Sequence, residues 1–111
     1  AIGQMYGGVL KTIGHSLSEE MIYDKETGRC LTTDFTDYKV PMILDVPETF
    51  VSELVPTDDP LGPFGAKSIS EITCNGAAPC IAEAIHDAVG VWVRDWPFTA
   101  ERILKAMGKI D

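Results

Sequence analysis

The 111-residue chain sets nine Lys and Arg against seventeen Asp and Glu, a formal net charge of −8, with 45% hydrophobic and 23% charged residues. That length leaves room for one domain, residues 1–111, and so apolar a composition folds around a core where a disordered chain would not. The acidic balance repels phosphate and anionic lipid, excluding nucleic acid and membrane surfaces as partners, and no apolar run approaches the ~20 residues that span a bilayer.

From Ile2 to Met21 the residues Ile2, Met5, Tyr6, Val9, Leu10, Ile13 and Leu17 recur at three- and four-residue steps. This predicts an amphipathic first helix with one buried apolar stripe. Gly3, Gly7, Gly8 and Gly14 each cost about 1 kcal/mol relative to Ala inside a helix, so something approaches that backbone closely. A packed neighbour is the favoured reading and a bound ligand the alternative. Met21-Ile22-Tyr23 and Arg29-Cys30-Leu31 read as the arms of a hairpin whose Gly28 takes the positive φ of the turn. Thr32 to Pro41 is irregular. Thr49 to Val55, β-branched and apolar between Pro47 and Pro56, predicts a strand, and Thr57 to Gly65 a loop.

Pro79 fits the first turn of a second helix, in which Ile81, Ala82, Ala84, Ile85, Ala88 and Val89 form a small-residue buried face that Gly90 ends. Val91-Trp92-Val93 reads as a short strand. Thr99 is placed to cap a last helix that turns Ile103, Leu104 and Met107 inward and stops at Gly108. Together these elements predict the α+β class, with helices packed on a small mixed or antiparallel sheet.

Cys30, Cys74 and Cys80 are an odd set without framework spacing, which points to a reducing cytoplasm, and Cys74 and Cys80 read as small buried hydrophobes. Neither Cys-x-x-Cys nor His-x-x-x-His is present to hold a metal of the chain's own, and His15 and His86 fall on predicted helices as surface or hydrogen-bonded core residues. The stretch Gly65-Ala66-Lys67-Ser68-Ile69-Ser70-Glu71 stands apart because small residues flank Lys67 and Ile69 just after a proline-rich loop. Such a backbone can bring N–H groups against an oxygen-rich ligand, and Glu71 ends it with a carboxylate that could serve as a general base. Taken alone, a loop glutamate reads as solvated.

Gly62-Pro63-Phe64-Gly65-Ala66-Lys67-Ser68-Ile69-Ser70-Glu71, followed by the helix from Ala78 to Gly90, resembles the C-terminal end of the molybdenum-binding subunit of the xanthine dehydrogenase and aldehyde oxidase family. So do Gly3-Gln4-Met5-Tyr6-Gly7-Gly8, with Gly14 and Glu19-Glu20, and the Tyr38-Lys39-Val40-Pro41 run. The blocks stand in the family's order along nearly the whole chain. The resemblance implies a C-terminal fragment of a larger molybdopterin-binding domain, and the opening on Ala-Ile-Gly inside a helical pattern, without Met, fits an excised piece.

It further implies an enzyme, most like xanthine dehydrogenase, that hydroxylates a purine or related heterocycle with water-derived oxygen. Glu71 falls on the family's general base and Gln4 on the glutamine that hydrogen-bonds the pterin, with Lys67 and Ser70 as further cofactor-side residues. Iron–sulfur clusters and FAD would sit on other parts, so the fragment alone should be inactive. Its partners would be the rest of the molybdenum-binding subunit, the iron–sulfur and flavin subunits or domains, and a small heterocycle or aldehyde. The departures are Ser70, where the family often has Gly, and Lys11-Thr12, where it often has Gln-Gly. The alternatives are an aldehyde oxidase or nicotinate dehydrogenase-like relative, or a small acidic interaction domain without enzymatic activity.

Overall fold

A computed structural model describes residues 1–111. Helix α1 spans Ile2–Leu17. It stops four residues short of the expected Met21 because Ser18 and Glu19 both donate their backbone N–H to Gly14 O, at 2.9 and 2.8 Å, which leaves no partner for another turn. The Tyr38–Pro41 stretch lies across this end. Tyr38 donates its hydroxyl to Glu19 Oε2 at 2.7 Å, which pushes the phenol above its ordinary range, and Ser18 Oγ donates to Lys39 O at 2.8 Å. Gly14 is required here because a Cβ on it would sit 2.5 Å from Pro41 Cδ. Gly14→Ala in the intact protein should therefore cost about 1–3 kcal/mol in denaturant unfolding although Ala favours helix. An unchanged midpoint would show that Pro41 is not seated on α1.

Helix α2 spans Ala77–Val89 and ends at Gly90, whose φ of 76° is the left-handed cap expected of glycine. Helix α3 spans Ala100–Ala106, and Thr99 Oγ1 accepts the Arg102 N–H at 3.3 Å as its predicted cap. The Arg102 guanidinium also donates to Pro97 O and pairs with Glu20, fastening α3 to the end of α1.

The expected sheet is not there, and the chain belongs to a helical class instead of α+β. Strand pairing is confined to one isolated bridge between Tyr23 and Cys30, around a turn in which Gly28 has φ 70°. Thr49–Val55 finds no strand partner. It crosses α1 with the Phe50 ring 4.3 Å from that of Tyr6, while Val51 and Val55 face outward. Its β-branched residues report fitness for a pleated, half-buried surface, and no neighbouring segment of these residues supplies one. Val91–Val93 also forms no strand; Val93 turns inward as one of the two buried apolar residues, with Phe98.

The stripe expected to be buried on α1 is only partly covered, with Met5, Val9, Leu10 and Ile13 half-buried. The buried residues are Thr12, Gly14 and Ser16, while Ile2, Tyr6 and Leu17 stay exposed. Small side chains let neighbours close on the helix backbone: the Phe98 N–H reaches Ser16 O at 2.6 Å, and Ser16 Oγ is satisfied by Thr12 O at 2.7 Å. The accessible surface is 8629 Å², against the roughly 6,000 Å² expected of a folded monomer of this mass. The radius of gyration is 17.7 Å where about 13 Å is usual. No helix is long and apolar enough to cross a membrane.

Candidate functional site

The predicted base lies on a single 3-10 turn, Glu71–Cys74, that packs against α1. Two threonine hydroxyls tie them together. Thr73 Oγ1 donates toward Gln4 O at 3.2 Å and toward Ser70 O at 3.0 Å. Thr12 Oγ1 lies 2.9 Å from Cys74 O and 3.0 Å from Gly8 O. Gly8 makes the approach possible, since a Cβ there would lie 2.7 Å from Thr73 Cβ and closer still to its oxygen.

Of the four residues singled out from the sequence, three are brought together. Gln4 sits in the first turn of α1, Ser70 heads the Glu71 turn, and both carbonyls meet the Thr73 hydroxyl. Glu71 extends into solvent with its side chain 82% exposed, and its one ionic neighbour is Lys11, Nζ to Oε2 3.9 Å. So exposed a pair contributes little to stability; it orients the carboxylate. Lys67 is exposed and pairs with no acid. Ser70 has φ −78°, so the position does not call for the positive φ that would favour the family's frequent glycine.

Sequence reasoning missed Thr73, Thr12 and Lys11 as parts of this site. The available signal was that glycines cost most in a helix interior, and one of them, Gly8, marks where another segment must close. The glycines divide: Gly8 and Gly14 are contacted by protein, as expected, whereas a Cβ on Gly3 or Gly7 would meet nothing within 4 Å.

The histidines stack on tryptophans. His86 lies 4.2 Å from Trp92, ring to ring, and His15 packs edge-on to Trp96 at 5.3 Å. No three His, Cys, Asp or Glu side chains converge as metal ligands. Cys74 is half-buried as a small hydrophobe would be, but Cys80 is exposed, on the outer side of α2. An open groove of about 810 Å³, lined by Lys11, His15, Glu19, Tyr38, Trp92 and Arg94 among others, runs from the Cys74 end of the turn toward the Tyr38 stretch.

Residues 1–47 match the molybdopterin cofactor-binding domain family. The chain is 61% identical over 110 residues to the "Probable hypoxanthine oxidase XdhD" of Escherichia coli, covering 99% of this chain and 11% of that protein. It is 34% identical over 104 residues to the aldehyde oxidoreductase molybdenum-binding subunit PaoC of the same species, covering 94% of this chain and 14% of that protein. Among solved structures, quinoline 2-oxidoreductase from Pseudomonas putida 86 superposes with a TM-score of 0.85 at 34% identity, over 99% of this chain and 14% of that one. The chain thus spans a small part of the length of the proteins it matches. These likenesses place it in one group: the chain belongs to the molybdopterin-binding subunits of the xanthine dehydrogenase and aldehyde oxidase family.

Proposed function

We propose that this chain is the C-terminal part of the molybdenum-binding subunit of a hydroxylase that places water-derived oxygen on a purine or related heterocycle, with Glu71 as general base. The observation that carries the reading is the tie between Gln4 and the Glu71 turn, which sets a cofactor-side residue beside the segment that carries the base. Purines are favoured over aldehydes and pyridine-type substrates because identity to the probable hypoxanthine oxidase, 61%, exceeds the 34% to the aldehyde oxidoreductase subunit and the 40% to the 6-hydroxypseudooxynicotine dehydrogenase subunit.

The residues fit a molybdopterin. The Gln4 side-chain amide is exposed and spends neither donor nor acceptor inside the chain, and the open backbone at Gly3 and Gly7 leaves room for a flat ring beside it. Lys67 and Ser70, exposed on the loop leading to Glu71, would serve the cofactor's polar groups. When bound, the molybdenum centre supplies two-electron redox chemistry and activates water. The chain's contribution is the base: Lys11 stands beside Glu71 Oε2, leaving Oε1 free to accept a proton. Iron–sulfur and flavin subunits or domains would accept the electrons, and the whole would work in the cytoplasm. The 111 residues alone would not turn over.

The test is the intact protein, purified with its molybdenum counted and supplied with hypoxanthine in ¹⁸O-water. Stoichiometric metal and ¹⁸O in the product are expected. A metal-free protein, or oxygen drawn from O₂, would overturn the reading.

A further inference from the structure

Glu71 has little to hold it. Its side chain makes only the exposed contact with Lys11, and the turn's own backbone bonds are long, Thr73 N to Ser70 O 3.3 Å and Asn75 N to Ile72 O 3.4 Å. What fixes the turn comes from outside it. Ser70 O, at its head, and Gln4 O, on α1, share the Thr73 hydroxyl, and Cys74 O, at its end, takes the Thr12 hydroxyl. Thr73 spans 69 residues of sequence to do so, and only a glycine at position 8 leaves its oxygen room.

We propose that Thr73 is a positioning residue: its hydroxyl, shared between the carbonyls of Gln4 and Ser70, sets the distance between the cofactor-side turn of α1 and the base. The proposal rests on the reading of Glu71 as base and Gln4 as cofactor ligand. Removing the hydroxyl leaves the cofactor pocket and the carboxylate chemically intact but frees the turn to shift. A shift of about 1 Å in a reacting group costs on the order of a hundredfold in rate. Nothing in the Thr73 side chain binds substrate, so the loss falls on kcat and leaves KM in place.

The experiment compares Thr73→Val, Thr73→Ser and Gly8→Ala in the intact, molybdenum-containing protein. Valine keeps the shape of threonine without the hydroxyl, serine keeps the hydroxyl, and Gly8→Ala pushes Thr73 off α1 from the helix side without altering the sequence of the turn. Two readouts are taken, steady-state kinetics and hydrogen exchange of the peptide covering the Glu71 turn. Thr73→Val and Gly8→Ala should lower kcat by about ten- to a hundredfold at unchanged molybdenum content and KM. They should also speed exchange of the turn's amides by roughly tenfold, the effect of losing about one hydrogen bond. Thr73→Ser should restore both.

Exchange and kcat at wild-type levels in Thr73→Val would overturn the proposal, as would a Thr73→Ser protein as impaired as the valine one. Should Thr73→Val fail to fold, Gly8→Ala decides on the same two readouts. Glu71→Gln is run beside them. If it abolishes turnover while Thr73→Val does not, the positioning role alone fails; if it leaves turnover intact, the reading of Glu71 as base fails, and the exchange data still report whether Thr73 anchors the turn.

Discussion

Glu71→Gln in the intact, fully molybdenum-loaded enzyme should lower turnover by about 10²–10⁴-fold, the range that a positioned general base contributes. Gln keeps the shape of the side chain, and the ion pair it gives up with Lys11, 3.9 Å apart and exposed, is weak, so the turn should not move. What it loses is the charged oxygen able to take a proton at neutral pH. A solvated surface glutamate, which is what an 82% exposed side chain looks like in isolation, would change the rate by less than about twofold. The two outcomes lie far enough apart for a single steady-state assay to separate them. Wild-type turnover in the Gln variant at full metal content would remove Glu71 from the mechanism.

The 111 residues made alone should associate with themselves and melt without a sharp transition. Their buried apolar residues are Val93 and Phe98, while Phe35, Ile43, Leu44, Leu61 and Phe64 lie almost wholly in solvent. The surface exceeds that of a compact monomer by roughly 2,600 Å², more than a standard protein interface buries in total. The large apolar side chains just named are part of that excess, and apolar surface left so exposed is covered by other protein or by another copy of itself. Sedimentation should show mass rising with concentration, and elemental analysis should find no molybdenum retained. A monomer that unfolds cooperatively above about 45 °C, as an ordinary mesophilic domain does, would contradict this.

The helices and their punctuation were legible in the sequence because their signals are local. Thr99 before α3, Gly90 after α2 and Gly28 in the turn each do what their covalent structure dictates, whatever surrounds them. The strands were misread because pairing is a property of two segments. Thr49–Val55 has the composition of a strand and no strand beside it. The buried face of α1 was legible only in part for a related reason: hydrophobic periodicity finds the stripe that some surface should cover, and among these residues Met5, Val9, Leu10 and Ile13 are half-covered while burial is complete only at Thr12, Gly14 and Ser16. At the candidate site, Glu71, Gln4 and Ser70 were reached through resemblance. The Thr73 hydroxyl, which brings two of them together, contacts a carbonyl 69 positions away, and no local pattern encodes such a contact.

The small-residue seat of α1 also divides the tolerance of the helix to mutation into two opposite rules. At Gly8 and Gly14 an added Cβ would meet Thr73 or Pro41, and at Thr12 and Ser16 a buried hydroxyl holds a carbonyl, so these positions admit no larger side chain and the two hydroxyls must stay. At Ile2 and Leu17 volume is free and polarity is what matters, because these exposed side chains meet no apolar surface among the 111 residues. Natural variants of this helix should therefore stay small at the first set of positions and vary in shape, but not in charge, at the second.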